Sequence, residues 1–135
     1  MDTRGLRNKN PFNIRYSNNS WLGKKKKGKK DKEFEEFYSL DYGVRAGVQL
    51  LRGYLIRGYD TVETIINRFS PPSENKTSSY ISYVYSESPA LKPGEKISLN
   101  SLNFYWLCKA ICMYESAYYL DYDYYLQVCK RFRII

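Results

Sequence analysis

From residue 44 onward, apolar residues recur at helical spacing, and before residue 40 they do not. Val44, Val48, Leu51 and Leu55 fall on one helical face, and Gly58 ends the run. Asp60-Thr61-Val62-Glu63 has the form of a capping box, with Asp60 accepting from the backbone and Glu63 reaching back. The helix it opens carries Val62, Ile65, Ile66 and Phe69 and must stop at Pro71-Pro72, because proline steers the preceding residue out of the helical region. A third helix is expected after Asn75-Lys76-Thr77, with Tyr80, Ile81 and Val84 facing inward. Pro89 to Gly94 reads as a connector, followed by helices from Asn100 to Ala117 and from Asp121 to Arg131.

The first forty residues read as extended segments and loops. Asn8, Asn10, Pro11 and Asn13 punctuate the start, and Asn18-Asn19-Ser20 offers a turn before Trp21-Leu22-Gly23. The basic run from Lys24 to Lys32 is expected to be an exposed loop or hairpin tip, since its like charges repel. Its flanks, Ile14-Arg15-Tyr16 and Glu33-Phe34-Glu35-Glu36-Phe37, are expected to pair as short strands. The predicted architecture is α+β and mainly α, one domain over residues 1–135 with about five helices and a small N-terminal β-hairpin. No internal repeat is visible.

Composition narrows the function. A hydrophobic fraction of 43% over 135 residues excludes a wholly disordered chain. No window approaches the roughly 18 apolar residues of a membrane span. The opening MDTRGLRNKNPFNIR carries charges where a secretory signal is apolar, so an intracellular product exported by another route is expected. There is no histidine, which removes Ser-His and Cys-His catalysis and histidine-based metal sites. The three cysteines read as buried thiols rather than a disulfide framework or zinc site. No cofactor is implied. A net charge of +8 points to an anionic partner: nucleic acid, a membrane face or a bacterial wall.

Without histidine, carboxylates are the natural acid–base candidates. Glu115 ends the most apolar helical stretch, after Trp106, Leu107, Ala110, Ile111 and Met113, and apolar surroundings raise a carboxyl pKa. The plainer reading is a solvated glutamate at a helix end. Glu74 lies in the polar loop Ser70 to Thr77, where it could equally serve as a cap. Asn75-Lys76-Thr77 fits a glycosylation sequon, which means little without a secretory signal. Glu33, Glu35 and Glu36 read as solvated or paired with lysines. The lysine run lacks the interleaved aromatics and fold motif of a nucleic-acid site, so nucleic acid is disfavoured as a partner. The 15 tyrosines offer sugar-stacking faces as well as packing and assembly contacts.

Several motifs, in order, carry a resemblance. Arg4-Gly5-Leu6-Arg7-Asn8-Lys9-Asn10-Pro11-Phe12-Asn13-Ile14-Arg15 resembles the RGxRNNNPGNIR opening of a family of small phage and prophage virion proteins. Those proteins look like relatives of lysozyme-type peptidoglycan hydrolases. Trp21-Leu22-Gly23 is similar to the family's W-x-G, and Phe34 with Phe37 to its F-x-x-F. Tyr42-Gly43-Val44-Arg45-Ala46 resembles its G-[IV]-R-A helix start. The segment from Thr61 to Thr77 is similar to its T-x-x-x-I-I-x-R-W-A-P-P-x-E-N-x-T, with Tyr80-Ile81 following at the family's distance.

The resemblance covers residues 4–84 well and the rest loosely. It implies a lysozyme-like fold, with the order of parts resembling a circularly permuted glucosaminidase. It also implies cleavage of peptidoglycan glycan strands, as a muramidase or lytic transglycosylase. Glu115 would be the catalytic acid and Glu74 a second carboxylate, with Asn13, Trp21, Asn75, Thr77 and Tyr80 binding substrate. The expected partner is bacterial peptidoglycan, with other virion proteins as further candidates. The expected setting is a virion, or the host cytoplasm before delivery to the periplasm and wall. The chain departs from the family at Phe12 in place of glycine, Phe69 in place of tryptophan, and Ser116-Ala117 in place of Asn-Gly after the glutamate. Those last two changes leave open a non-catalytic virion protein on the same scaffold.

Overall fold

The computed structural model describes residues 2–73 and 76–134. Six helices follow one another among the described residues: α1 (Arg4–Arg7), α2 (Leu40–Ile56), α3 (Val62–Phe69), α4 (Thr77–Glu87), α5 (Leu102–Ser116) and α6 (Tyr122–Arg131). Among the described residues there is no strand. The expectation of a lysozyme-like α+β fold with an N-terminal β-hairpin is therefore corrected to a mainly helical fold without a sheet.

The expected strand flanks do meet, but only at single points. Arg15 bridges Phe34 and Lys24 bridges Phe37, both antiparallel. Tyr16 N donates to Glu33 O and Glu35 N to Ile14 O, each at 2.9 Å, and Lys25 N and Tyr38 N make the equivalent bonds to Glu36 O and Gly23 O. Carboxylates take the neighbouring N–H groups. Glu36 Oε2 accepts from Lys30 N at 2.5 Å and Asp31 N at 2.6 Å, while Asp31 Oδ1 accepts from Glu33 N and Phe34 N. N–H groups committed to side chains cannot extend a ladder.

The same network corrects the picture of an exposed lysine loop. Lys24 is buried, and its ammonium donates at 2.9 Å to Ser17 O, Asn19 O and Glu35 Oε2. Lys26, Lys27, Lys30 and Lys32 are exposed as expected.

The short α1 was not anticipated, because one turn gives no periodicity to read. Thr3 caps it. The predicted stripe of α2 is buried throughout. Gly43 and Gly47 lie on the side of α2 that meets the N-terminal segment. A Cβ at Gly43 would stand 1.9 Å from Lys9 O, and one at Gly47 would stand 2.0 Å from the Phe12 ring.

On α3 the capping box is built from Thr61 and Thr64, one residue later than expected. Glu63 instead accepts from Gly94 N at 3.2 Å and from the Tyr85 hydroxyl, tying down the 89–94 connector. Tyr80 and Val84 of α4 are buried, with Ile81 half-buried. α5 is apolar on nearly every side, with Phe104, Leu107, Cys108, Ile111 and Cys112 inaccessible, as a helix through the core must be. All three cysteines are buried and unbridged. α6 is capped by Asp121 and tied to α2 where Asp41 accepts from Tyr124 and Arg131. Among the described residues no helix is long and apolar enough to cross a membrane.

Candidate active site around Glu115

Glu115 lies in the last turn of α5, where the helix leaves the core. The N-terminal segment comes to meet it. Asn13 has φ near 51°, in the left-handed region that asparagine tolerates better than most residues. That turn lets its amide donate to Glu115 O at 3.0 Å and to Glu115 Oε1 at 3.3 Å. The other carboxylate oxygen accepts from the Tyr80 hydroxyl at 2.8 Å. Both oxygens of one carboxyl group are thus held by side chains from different parts of the chain. The next residue secures the approach, with Ser116 Oγ donating to Pro11 O at 2.9 Å.

Glu115 opens into a groove of about 280 Å³. One wall comes from Asn13 to Trp21 and Phe34. The other comes from Leu50 and Tyr54 of α2, with Phe69 and Ser70 at the end of α3. Burial pushes the Glu115 carboxyl above its ordinary 4.5, while hydrogen bonds from Tyr80 and Asn13 and the nearby Arg15 charge pull it back. Asn13 Oδ1 and Trp21 Nε1 are shielded from solvent without a hydrogen-bond partner. Such atoms are uncommon in folded proteins and costly to leave unsatisfied.

Among the residues expected from sequence, the structure brings Asn13, Trp21 and Glu115 to the groove. Tyr80 stands behind it, 1% exposed, stacked on Tyr114 at 3.7 Å between ring centroids. It orients Glu115 and is too deep to contact a ligand. Thr77 does not line the groove: it is buried, and its hydroxyl donates to Ser70 O at 2.5 Å. Glu74 and Asn75 lie outside the described residues.

Sequence reasoning missed Leu50 and Tyr54, which sit four apart on α2 beside the core stripe. That spacing was the available signal, and it cannot say which edge of a stripe borders a groove. Phe69 read as a core residue of α3, and its place at the end of that helix is what brings it to the groove. Among the described residues no group of three or more cysteine, aspartate or glutamate side chains is placed to hold a metal.

No protein-family model matches the chain. It is 41% identical over 85 residues to "Protein P5" of Pseudoalteromonas phage PM2. The similarity is to a phage protein. The match takes in 60% of this chain and 52% of that protein, so the chain spans about half the length of the curated relative it matches.

Proposed function

We propose that this protein cleaves the glycan strands of bacterial peptidoglycan, between N-acetylmuramic acid and N-acetylglucosamine, in a phage or prophage setting. The observation that carries this reading is Glu115: a half-buried carboxyl group with a raised pKa, gripped by Asn13 and Tyr80 and opening into a groove. A carboxyl held neutral beside a glycosidic oxygen can protonate the leaving group. The similarity to a phage protein supports the phage setting.

After protonation, either water attacks with help from a second carboxylate, or the muramyl 6-hydroxyl closes on C1. Glu115 is the one carboxylate among the described residues that line the groove, which suits the second route. Asn13 and Trp21 line the groove, where the Trp21 ring would offer the sugar an apolar face.

Loss of turbidity of Gram-negative sacculi tests the proposal. Wild type should clear them, and Glu115→Gln should slow clearing by about 10²- to 10⁴-fold, the usual contribution of a general acid. Anhydro ends in the fragments would identify closure by the 6-hydroxyl. The rate should fall as pH rises through the raised Glu115 pKa, because the acid must hold its proton. No clearing by folded wild type would favour a non-catalytic virion protein. Tyr114, Tyr119 and Tyr122, each at least 40% exposed, would then be its assembly surface.

A further inference from the structure

A second concavity, of about 570 Å³, lies beside the first and is lined by Arg4, Arg7, Lys25, Lys30 and Lys32 together with Asp31, Glu33 and Glu36. The two are neighbours through Phe34. Its ring lines the Glu115 groove, carries Arg15 at 5.4 Å on the groove side, and carries Arg4 of the second cleft at 4.6 Å.

We infer that this cleft binds the acidic stem peptide hanging from the glycan strand held in the Glu115 groove. This reading rests on the function proposed above, because the peptide reaches the cleft only if its sugar lies in the groove. Three observations lead to it. The cleft already handles carboxylates internally. Glu36 sits on the consecutive N–H groups of Lys30 and Asp31, and Arg4 grips Asp31 through two nitrogens at 2.6 and 2.8 Å. The cations left over are Lys30 and Lys32, exposed and without an ion pair among the described residues, while Arg7 donates to Asp2 O at 2.9 Å and lies 3.9 Å from the Asp2 carboxylate. Muramic acid carries its peptide on a lactyl ether of the sugar itself, so sugar and carboxylates arrive as one ligand spanning both concavities. Duplex nucleic acid would need a longer basic track, and here three acids interrupt the lining.

The test reads binding without turnover, using the full chain with Glu115→Gln. Glycan strands released from Gram-negative sacculi by an endopeptidase, either carrying their stem peptides or stripped of them by an amidase, are titrated against the protein in solution at low and moderate salt. Strands that keep their peptides should bind about tenfold more tightly, the scale of two or three exposed ion pairs together. Adding Lys30→Glu with Lys32→Glu should abolish that preference. Adding Lys26→Glu with Lys27→Glu makes the same charge change outside the cleft and should preserve it.

Equal binding to stripped strands overturns the inference. So does equal loss in both lysine pairs, which would mean diffuse attraction, or tighter capture of duplex DNA or anionic vesicles at the same salt. All substituted lysines are exposed, and unchanged circular dichroism would show the fold intact. Failure of wild type to clear sacculi would sink the cleavage proposal and leave this preference measurable. Loss of the preference would leave cleavage standing.

Discussion

Residues 2–39 bury Asn8, Asn10, Lys24, Glu35 and Glu36 beside Phe12, Ile14 and Phe37, whereas α2 to α6 bury mostly isoleucine, leucine, valine and aromatic rings. The first region is held by directional bonds. Asn10 alone donates to Ile14 O and Glu35 O and accepts from Ile14 N, all at 3.0 Å. The second is held by removal of apolar area from water, which tolerates small adjustments of position. A groove whose walls come from both regions therefore has one wall fixed by geometry and one by packing. The polar wall is the one that fails abruptly when a single partner is lost, because a stranded buried charge costs far more than a missing methylene.

That contrast has a direct test. Glu35→Ala strands the Lys24 ammonium, 6% exposed, with only carbonyl partners, and should cost about 3–5 kcal/mol. Ile111→Ala opens a cavity in α5 and should cost about 2–5 kcal/mol. The two are separable in urea by slope. Ile111→Ala should move the midpoint with the slope unchanged. Glu35→Ala should also lower the slope, because a native state with its N-terminal segment loosened has less surface left to expose. Equal slopes would mean that the two regions unfold as one unit whatever holds them.

The seam between the regions is the next target. Gly47→Ala drives a methyl group into the Phe12 ring and should destabilise by about 1–3 kcal/mol, the usual cost of overpacking. Cutting Phe12 back to alanine in the same chain should recover part of the methyl clash, and a double-mutant cycle would measure the coupling. Independent, additive losses would show that the ring can move away and that the seam is softer than its distances imply.

The helical half was legible because burial of a stripe forces a period, which Val44 to Leu55 repeats for three turns, and because Phe104 to Cys112 is a nearly unbroken apolar run. Even there the cap of α3 shifted by one residue, since Thr61 and Thr64 bond each other's N–H groups while the Glu63 carboxylate is engaged by Gly94 N and the Tyr85 hydroxyl. The N-terminal half was read as a hairpin because its flanks do approach one another. What prevents a ladder is the capture of backbone N–H groups by Asp31, Glu35 and Glu36, and no alternation of apolar and polar positions records which carboxylate turns inward. At the site, Asn13, Trp21 and Glu115 could be chosen in advance from motifs. Thr77 lies off the groove, and a buried hydroxyl bonded to a carbonyl shares its sequence with an exposed one offered to a sugar.

Glu115 sits on the seam, and its titration reports on how dry the groove is. Its carboxyl is raised above 4.5 in the folded chain, so folding favours the protonated form. The associated stability is complete below the unfolded value and is lost as pH rises through the folded one. Glutamine never ionises. The melting temperature of Glu115→Gln should therefore match wild type in acid and exceed it at neutral pH. A difference that does not vary with pH would mean that the groove is wet and the carboxyl ordinary.

The smallest effect comes from the residue that ends α5. Ala117 has φ near 51°, a left-handed conformation that its Cβ disfavours by about 1–2 kcal/mol and that glycine adopts freely. Ala117→Gly should stabilise the protein by about 0.5–1 kcal/mol, less than the full strain because glycine also gains freedom in the unfolded chain. The substitution touches no groove residue, so clearing of sacculi should follow the folded fraction only. A rise in clearing beyond that would show that strain at the end of α5 is transmitted to the Glu115 carboxyl through the Asn13 amide, which bonds both its backbone carbonyl and its side chain.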